Sequence, residues 1–174
     1  GFVMLGLFAL TRESVQGAMM VMLGHGLSTG ALFLLIGMIY ERRHSREIAA
    51  YGGIAKVAPV FATLLTVVAL SSIGLPGTNG FISEFLVMVG SFKTFPYLTT
   101  ISAIGVILGA AYMLWALQRI IYNPLDKADN EHLTDLNWRE IGLLVPVLIG
   151  ILWLGLYPKP VLDRINPSAC RAHS

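Results

Sequence analysis

Charge is scarce in this sequence. Of 174 residues, only 13% are Asp, Glu, Lys or Arg, and the net charge is +2. A soluble domain carries about 25% charged residues to keep its surface wet, so the composition excludes a soluble enzyme. Cysteine is scarcer still. Cys170 stands alone, which excludes a disulfide framework and a thiolate metal cluster within one chain. There is no Lys/Arg-rich tract to follow a phosphate backbone, and no nucleic-acid partner is expected. No GxGxxG, CxxC or phosphate-loop lysine occurs, so no flavin, nicotinamide, iron–sulfur or metal site is expected in this chain. A secretory signal, with its basic start and cleavage site, is also missing.

What is present is apolar. Hydrophobic residues make up 55% of the chain and mean hydropathy is +0.71. They are gathered into runs. Val15 to Tyr40 is 26 residues without a charge, Thr94 to Gln118 is 25, and Ile141 to Pro158 is 18. Val57 to Phe92 is 36 residues interrupted only by Glu84. A helix needs roughly 20 apolar residues to cross a bilayer, and runs of this length satisfy their backbone in hydrocarbon only as helices. The fold class expected is all-α, a polytopic transmembrane helix bundle.

Transmembrane helices are expected over 15–40, 96–122 and 138–158, with a tail over 159–174. Residues 1–10 read as the remnant of a preceding helix, in a piece of a longer protein. Ser14 is the expected N-cap of the first full helix, and Pro59 suits the first turn of another. Gly105 and Gly109 permit close approach of a neighbouring helix. Pro146 should kink the last helix, near whose ends Trp138, Trp153 and Tyr157 sit as interfacial aromatics. Basic residues are slightly commoner in the Glu41–Lys56 and Asn123–Asn137 loops and their flanks, which places those loops together on the cytoplasmic side.

The segment 58–92 reads as one discontinuous helix broken at 74–80, through Gly74-Leu75-Pro76-Gly77-Thr78-Asn79-Gly80. Such breaks are tolerated at membrane depth only where protein or water satisfies the backbone, and in transporters they mark ion or substrate sites. The alternative is a re-entrant hairpin or a tight interhelical turn with Glu84 at an interface. Glu84 lies just past the break. A charge there costs about 2.5–3.5 kcal/mol on insertion scales and by default marks a proton or ion pathway. His25, midway along its own run, can pass a proton through its two nitrogens; it reads equally as a packed core histidine. Ser28 and Thr29 share its helix face. Gly77, Asn79 and Gly80 support the break. His44 and His132 read as solvated loop residues, His173 as tail, and the methionines as packing.

The stretch His25-Gly26-Leu27-Ser28-Thr29-Gly30-Ala31-Leu32-Phe33-Leu34, the run Tyr40-Glu41-Arg42-Arg43-His44 with Tyr51-Gly52-Gly53-Ile54, and Gly74-Leu75-Pro76-Gly77 followed by Asn79-Gly80-Phe81-Ile82-Ser83-Glu84-Phe85 form an ordered set. That set resembles the antiporter-like membrane subunits of respiratory complex I, most of all the subunit M (chain 4) branch. The resemblance runs over nearly the whole chain and implies the C-terminal third of a subunit, without the first repeat. It implies a larger fold of two inverted repeats, each with a broken helix. Glu84 matches the acidic residue of the second broken helix, assigned to a proton-exit half-channel. His25 matches a histidine of the polar axis that joins the half-channels. Thr29 falls where the largest sister subunit has a relay lysine.

The function so implied is a proton-translocation half-channel coupled to NADH:quinone electron transfer, with Glu84 and His25 as the proton relay. No redox chemistry is expected in the chain itself. The resemblance puts NADH, FMN, iron–sulfur clusters and quinone in partner subunits, and gives other membrane subunits of complex I and the lipid bilayer as partners. It implies a multi-pass protein of a bacterial plasma membrane or an organelle inner membrane. Two other readings stand beside it: a subunit of a multisubunit monovalent cation/proton antiporter, and a membrane anchor without conduction.

Overall fold

The computed structural model describes the backbone of residues 1–171 and the side chains of residues 1–166. The expectations for Cys170, for the Arg171 side chain and for His173 lie outside the described residues. Every regular element among the described residues is helical: α1 (Phe2–Ala9), α2 (Arg12–Arg43), α3 (Ile54–Val57), α4 (Pro59–Ser72), α5 (Asn79–Phe92), α6 (Pro96–Leu117), α7 (Ala128–Glu131), α8 (Trp138–Leu156) and α9 (Lys159–Arg171). Three of the described helical segments, Arg12–Arg43, Pro96–Tyr122 and Trp138–Leu156, are long and apolar enough to cross a membrane.

α2 is the spine. Its N-cap is Thr11 rather than Ser14. The Ser14 N–H donates to Thr11 Oγ1 at 3.1 Å and the Thr11 N–H donates to Ser14 Oγ at 3.1 Å. This reciprocal capping box satisfies two of the amides orphaned at a helix start, and it moves that start back to Arg12. At 32 residues and 1.5 Å per residue the helix is about 48 Å long, well over the hydrocarbon thickness. It closes on His44, which takes a left-handed conformation and donates its N–H to the Tyr40 carbonyl at 2.7 Å.

α4 and α5 run antiparallel to α2 and end to end along it. A Cβ on Gly90 would collide with the Ser14 nitrogen, and one on Gly17 would lie 2.5 Å from the Val87 nitrogen. Further along, Asn79 bonds to the Gly24 carbonyl and Ser28 to Ser71. Beyond that, Ala31, Leu35 and Ile39 join Phe61, Leu65 and Val68 in the apolar core. As the residue number rises on α2 it falls on its partner, without reversal, so the two short helices form one interrupted rod. Their junction lies beside residues 24–28 of α2, near its midpoint.

Gly74 ends α4 in a Schellman motif. Its φ is +78°, the Leu75 N–H donates to the Leu70 carbonyl at 3.0 Å, and the Gly74 N–H donates to the Ser71 carbonyl at 3.2 Å. These bonds satisfy carbonyls that a simple break would leave orphaned. Gly77, with φ +92°, turns the chain toward α8. Gly155 of α8 lets that turn approach closely, because a Cβ there would overlap the Gly77 carbonyl and Thr78.

The loops 44–58 and 123–137 meet at one end of the rod. Arg42 donates from Nη1 and Nη2 to both carboxylate oxygens of Glu140, at 2.9 and 2.6 Å, and also holds the Asp135 carbonyl. Arg43 pairs with Asp129 at 2.9 Å. Asp135 caps α4 from a distance, accepting the N–H groups of Val60 at 2.8 Å and Phe61 at 3.0 Å.

Two further features differ from the sequence expectations. Residues 159–171, expected as tail, are helical: Pro158 and Pro160 suit a first turn, and Asn166 is anchored by Arg12 Nε at 3.0 Å and by Gln16. The Gly105–Gly109 stripe meets no other helix among the described residues, and α6 presents large apolar side chains such as Ile101, Ile104 and Ile107 outward. Pro146 lies inside α8 without ending it.

Candidate functional site: a cavity at the helix break

Where the rod is interrupted, Ser28 of α2 meets three buried polar side chains from the two half-helices. Ser28, Ser71, Asn79 and Ser83 are all nearly or fully buried. Asn79 donates from Nδ2 to the Gly24 carbonyl at 2.8 Å and to Ser28 Oγ at 3.1 Å. Its Oδ1 accepts from Ser71 Oγ at 2.6 Å. Ser83 Oγ donates back to the carbonyls of Asn79 and Gly80, both at 2.9 Å. No buried side-chain polar atom among the described residues is left without a partner. Polar groups in an apolar interior are tolerated on that condition.

Against this cluster lies a cavity of about 60 Å³, lined by His25, Ser28, Thr29, Ser71, Ser83 and Glu84, with Val21, Gly24, Gly80 and Ser72 completing its walls. A site of this volume with several hydroxyl and carboxyl groups can hold more than one water. Glu84 is half-buried. Its Oε2 leans toward Gly74, where an added Cβ would come within 3.2 Å. No cation or hydrogen-bonding side chain among the described residues neutralises it.

The sites expected from sequence divide into three groups. His25, Ser28, Thr29, Gly80 and Glu84 line one cavity, from helices about 55 residues apart in the chain. His25 borders that cavity and is exposed in this chain. Asn79 sits behind the wall and ties the break to α2. Gly77 is not in the cavity and lies against α8. Sequence reasoning missed Ser71, Ser72 and Ser83. The signal for the first two was a pair of hydroxyls immediately before the glycine-rich break, where apolar residues would have served a plain span.

Residues 1–110 match the model of a family described as NADH:quinone oxidoreductase/Mrp antiporter, transmembrane. The chain belongs to this NADH:quinone oxidoreductase/Mrp antiporter family. Among curated relatives, this antiporter-family chain is 42% identical over 168 residues to the NADH-quinone oxidoreductase subunit M of Rhodobacter capsulatus, covering 97% of the chain and 33% of that protein. It is 44% identical to subunit M of Mycobacterium tuberculosis, covering 97% of itself and 30% of the relative. It is 40% identical to NADH-ubiquinone oxidoreductase chain 4 of Arabidopsis thaliana, covering 95% and 34%. A chain in the structure of respiratory complex I from Thermus thermophilus with bound NADH superposes with a TM-score of 0.90 at 32% identity, over 99% of this chain and 37% of that one. The family member described here spans about a third of the length of these relatives. It is a multi-pass membrane protein of the antiporter-like helical class, and no group of three or more metal-ligating side chains occurs among its described residues.

Proposed function

We propose that this chain is part of a membrane-arm subunit of complex I and contributes a proton half-channel to NADH-driven quinone reduction. Its partners are the other membrane subunits and the surrounding bilayer. NADH, FMN, iron–sulfur clusters and quinone belong to partner subunits, and no electron passes through this chain. Glu84 takes up a proton from the His25 side of the cavity and releases it after the hydration of its surroundings changes. Ser28, Thr29 and the hydroxyls at the break hold the water that connects the two.

The reading rests on one observation: an unpaired carboxyl group and a histidine share one cavity with several hydroxyl side chains, in a chain too apolar to tolerate either without use. Moving a proton against the membrane potential requires about 2.3 kcal/mol per 100 mV. A carboxyl group held between wet and dry states can change its proton affinity by several such amounts.

The test uses the whole complex in proteoliposomes. Glu84→Gln keeps the shape of the side chain and removes its proton exchange, so fewer protons should move per NADH oxidised while assembly is retained. Unchanged stoichiometry overturns the proposal. Failure to assemble supports the anchoring role instead. A second reading is a monovalent cation/proton antiporter subunit, supported by the breadth of the matching family. Proton movement that depends on replacing potassium with sodium would favour it.

A further inference from the structure

At the loop-bearing end of the bundle, away from the proton cavity, two hollows share a wall. The first is an apolar slot of about 320 Å³ between α2, α4 and α6, walled by residues such as Leu32, Ile36, Phe61, Leu65 and Met113. Its size falls in the range of pockets that take small ligands, about 300–1,000 Å³. Arg46 and Tyr51 line it as well. The second is a polar recess of about 180 Å³ lined by Arg119, Asn123, Asp126 and Lys127. Ile48 and Tyr51 border both.

The cations here are held ready rather than neutralised. The Arg46 guanidinium lies 4.9 Å from the Tyr40 ring centre and that of Arg119 lies 3.9 Å from the Trp115 ring centre. Neither forms an ion pair among the described residues, where Arg42, Arg43 and Lys93 take the carboxylates. A guanidinium stacked by its face on an aromatic ring keeps its N–H edge free for a phosphate. Lys127 is steadied by the Tyr51 carbonyl at 3.3 Å. The recess holds Arg119 and Lys127 against one carboxylate, Asp126, and Arg46 adds a third cation from the slot that shares its wall.

We propose that slot and recess together bind one anionic phospholipid, with an acyl chain in the slot and its phosphate among Arg46, Arg119 and Lys127. A ligand with one charged end and one long apolar end matches the two hollows. A transmembrane helix has no counterpart for the polar recess, and a neutral lipid leaves the excess positive charge unanswered. Basic pockets between helices at a membrane surface recruit anionic headgroups in this way. The site is independent of Glu84 and of the proton reading.

The experiment uses the purified whole complex, delipidated in mild detergent. It is exposed to photoactivatable phosphatidylglycerol or phosphatidylcholine with identical acyl chains, and labelled peptides are mapped. Phosphatidylglycerol is expected to label residues 32–51 and 113–120 in preference to phosphatidylcholine. The Arg46→Ala/Arg119→Ala pair should lower that labelling roughly thirtyfold. Ala116→Trp, which fills the slot, should abolish labelling by both lipids in assembled complex. Equal labelling by the two lipids, or labelling unaffected by either variant, overturns the proposal. So does absence of labelling together with a protein cross-link from a photoreactive residue placed at Ile36, which would mean that another polypeptide segment fills the slot.

Discussion

The side-chain amide of Asn79 donates to the backbone carbonyl of Gly24 at 2.8 Å, tying the first residue of one half-helix to the middle of the long helix beside it. This bond sets the level at which the rod is interrupted, and so which residues of α2 face Glu84. Gly24 makes room for it: a Cβ there would lie 2.8 Å from Asn79 Nδ2.

Replacing Asn79 with Ala should therefore leave the Gly24 carbonyl, Ser28 and Ser71 short of partners. A buried polar group so orphaned costs about 1–3 kcal/mol. The expected result is a lower unfolding temperature of the assembled complex and reduced proton yield. Asn79→Ala with both unchanged would show that the bond positions nothing.

Glycine substitutions should sort by location rather than by number. Gly17→Ala and Gly90→Ala push a methyl group into the backbone of the neighbouring helix and should cost about 1–3 kcal/mol as overpacking does. Gly26→Ala and Gly30→Ala meet nothing within 4 Å in this chain. Thermal melting of the four variants checks the contrast, and equal losses at all four would contradict the packing described.

The Arg42–Glu140 pair is bidentate, with side chains only 16% and 13% exposed. Removing one partner of a largely buried pair is strongly destabilising, by about 3 kcal/mol. Glu140→Ala should weaken the junction of α2 and α8, and the double replacement Arg42→Met/Glu140→Leu should recover much of the loss. A double-mutant cycle on unfolding temperature measures this. A double variant no better than the single would remove the ion pair from the account.

Asp135→Ala should free the first amides of α4, at the cost of a lost helix cap, about 0.5–2 kcal/mol. Hydrogen exchange at Val60 and Phe61 should rise first. Protection unchanged at those two amides would mean that the cap is not what holds this helix start.

His25 is exposed in this chain and borders the cavity. His25→Ala should therefore change stability by no more than about 0.5 kcal/mol while slowing proton delivery to Glu84. A variant that pumps at full rate would leave His25 as a bystander.

Much of this arrangement can be read from residue order. A helix with a charge-free run announces itself by composition, and the glycine-rich heptad marks an interruption whatever surrounds it. Glu84 is conspicuous because apolar packing has no use for it. What sequence hides is pairing across helices. Ser71 and Asn79 are eight residues apart, and only the Schellman turn at Gly74 brings their side chains into one bond. Asp135 caps a helix that begins 76 residues earlier, a relation no local pattern encodes. The N-cap moved from Ser14 to Thr11 because either hydroxyl can cap, and the reciprocal bond decides between them. Gly77 can be read as part of the break, but the service of its positive φ to the approach of α8 cannot. The helix after Pro158 escaped notice because its anchoring partners, Arg12 and Gln16, lie at the other end of the chain.

Infrared difference spectroscopy of the whole complex during turnover reads the protonation of Glu84 itself, with Glu84→Gln as the blank. If Glu84 exchanges protons in the cavity, a carboxyl-stretch band should appear and decay with NADH oxidation, shift in heavy water, and be missing from the blank. An identical carboxyl region in both proteins throughout turnover would contradict the account.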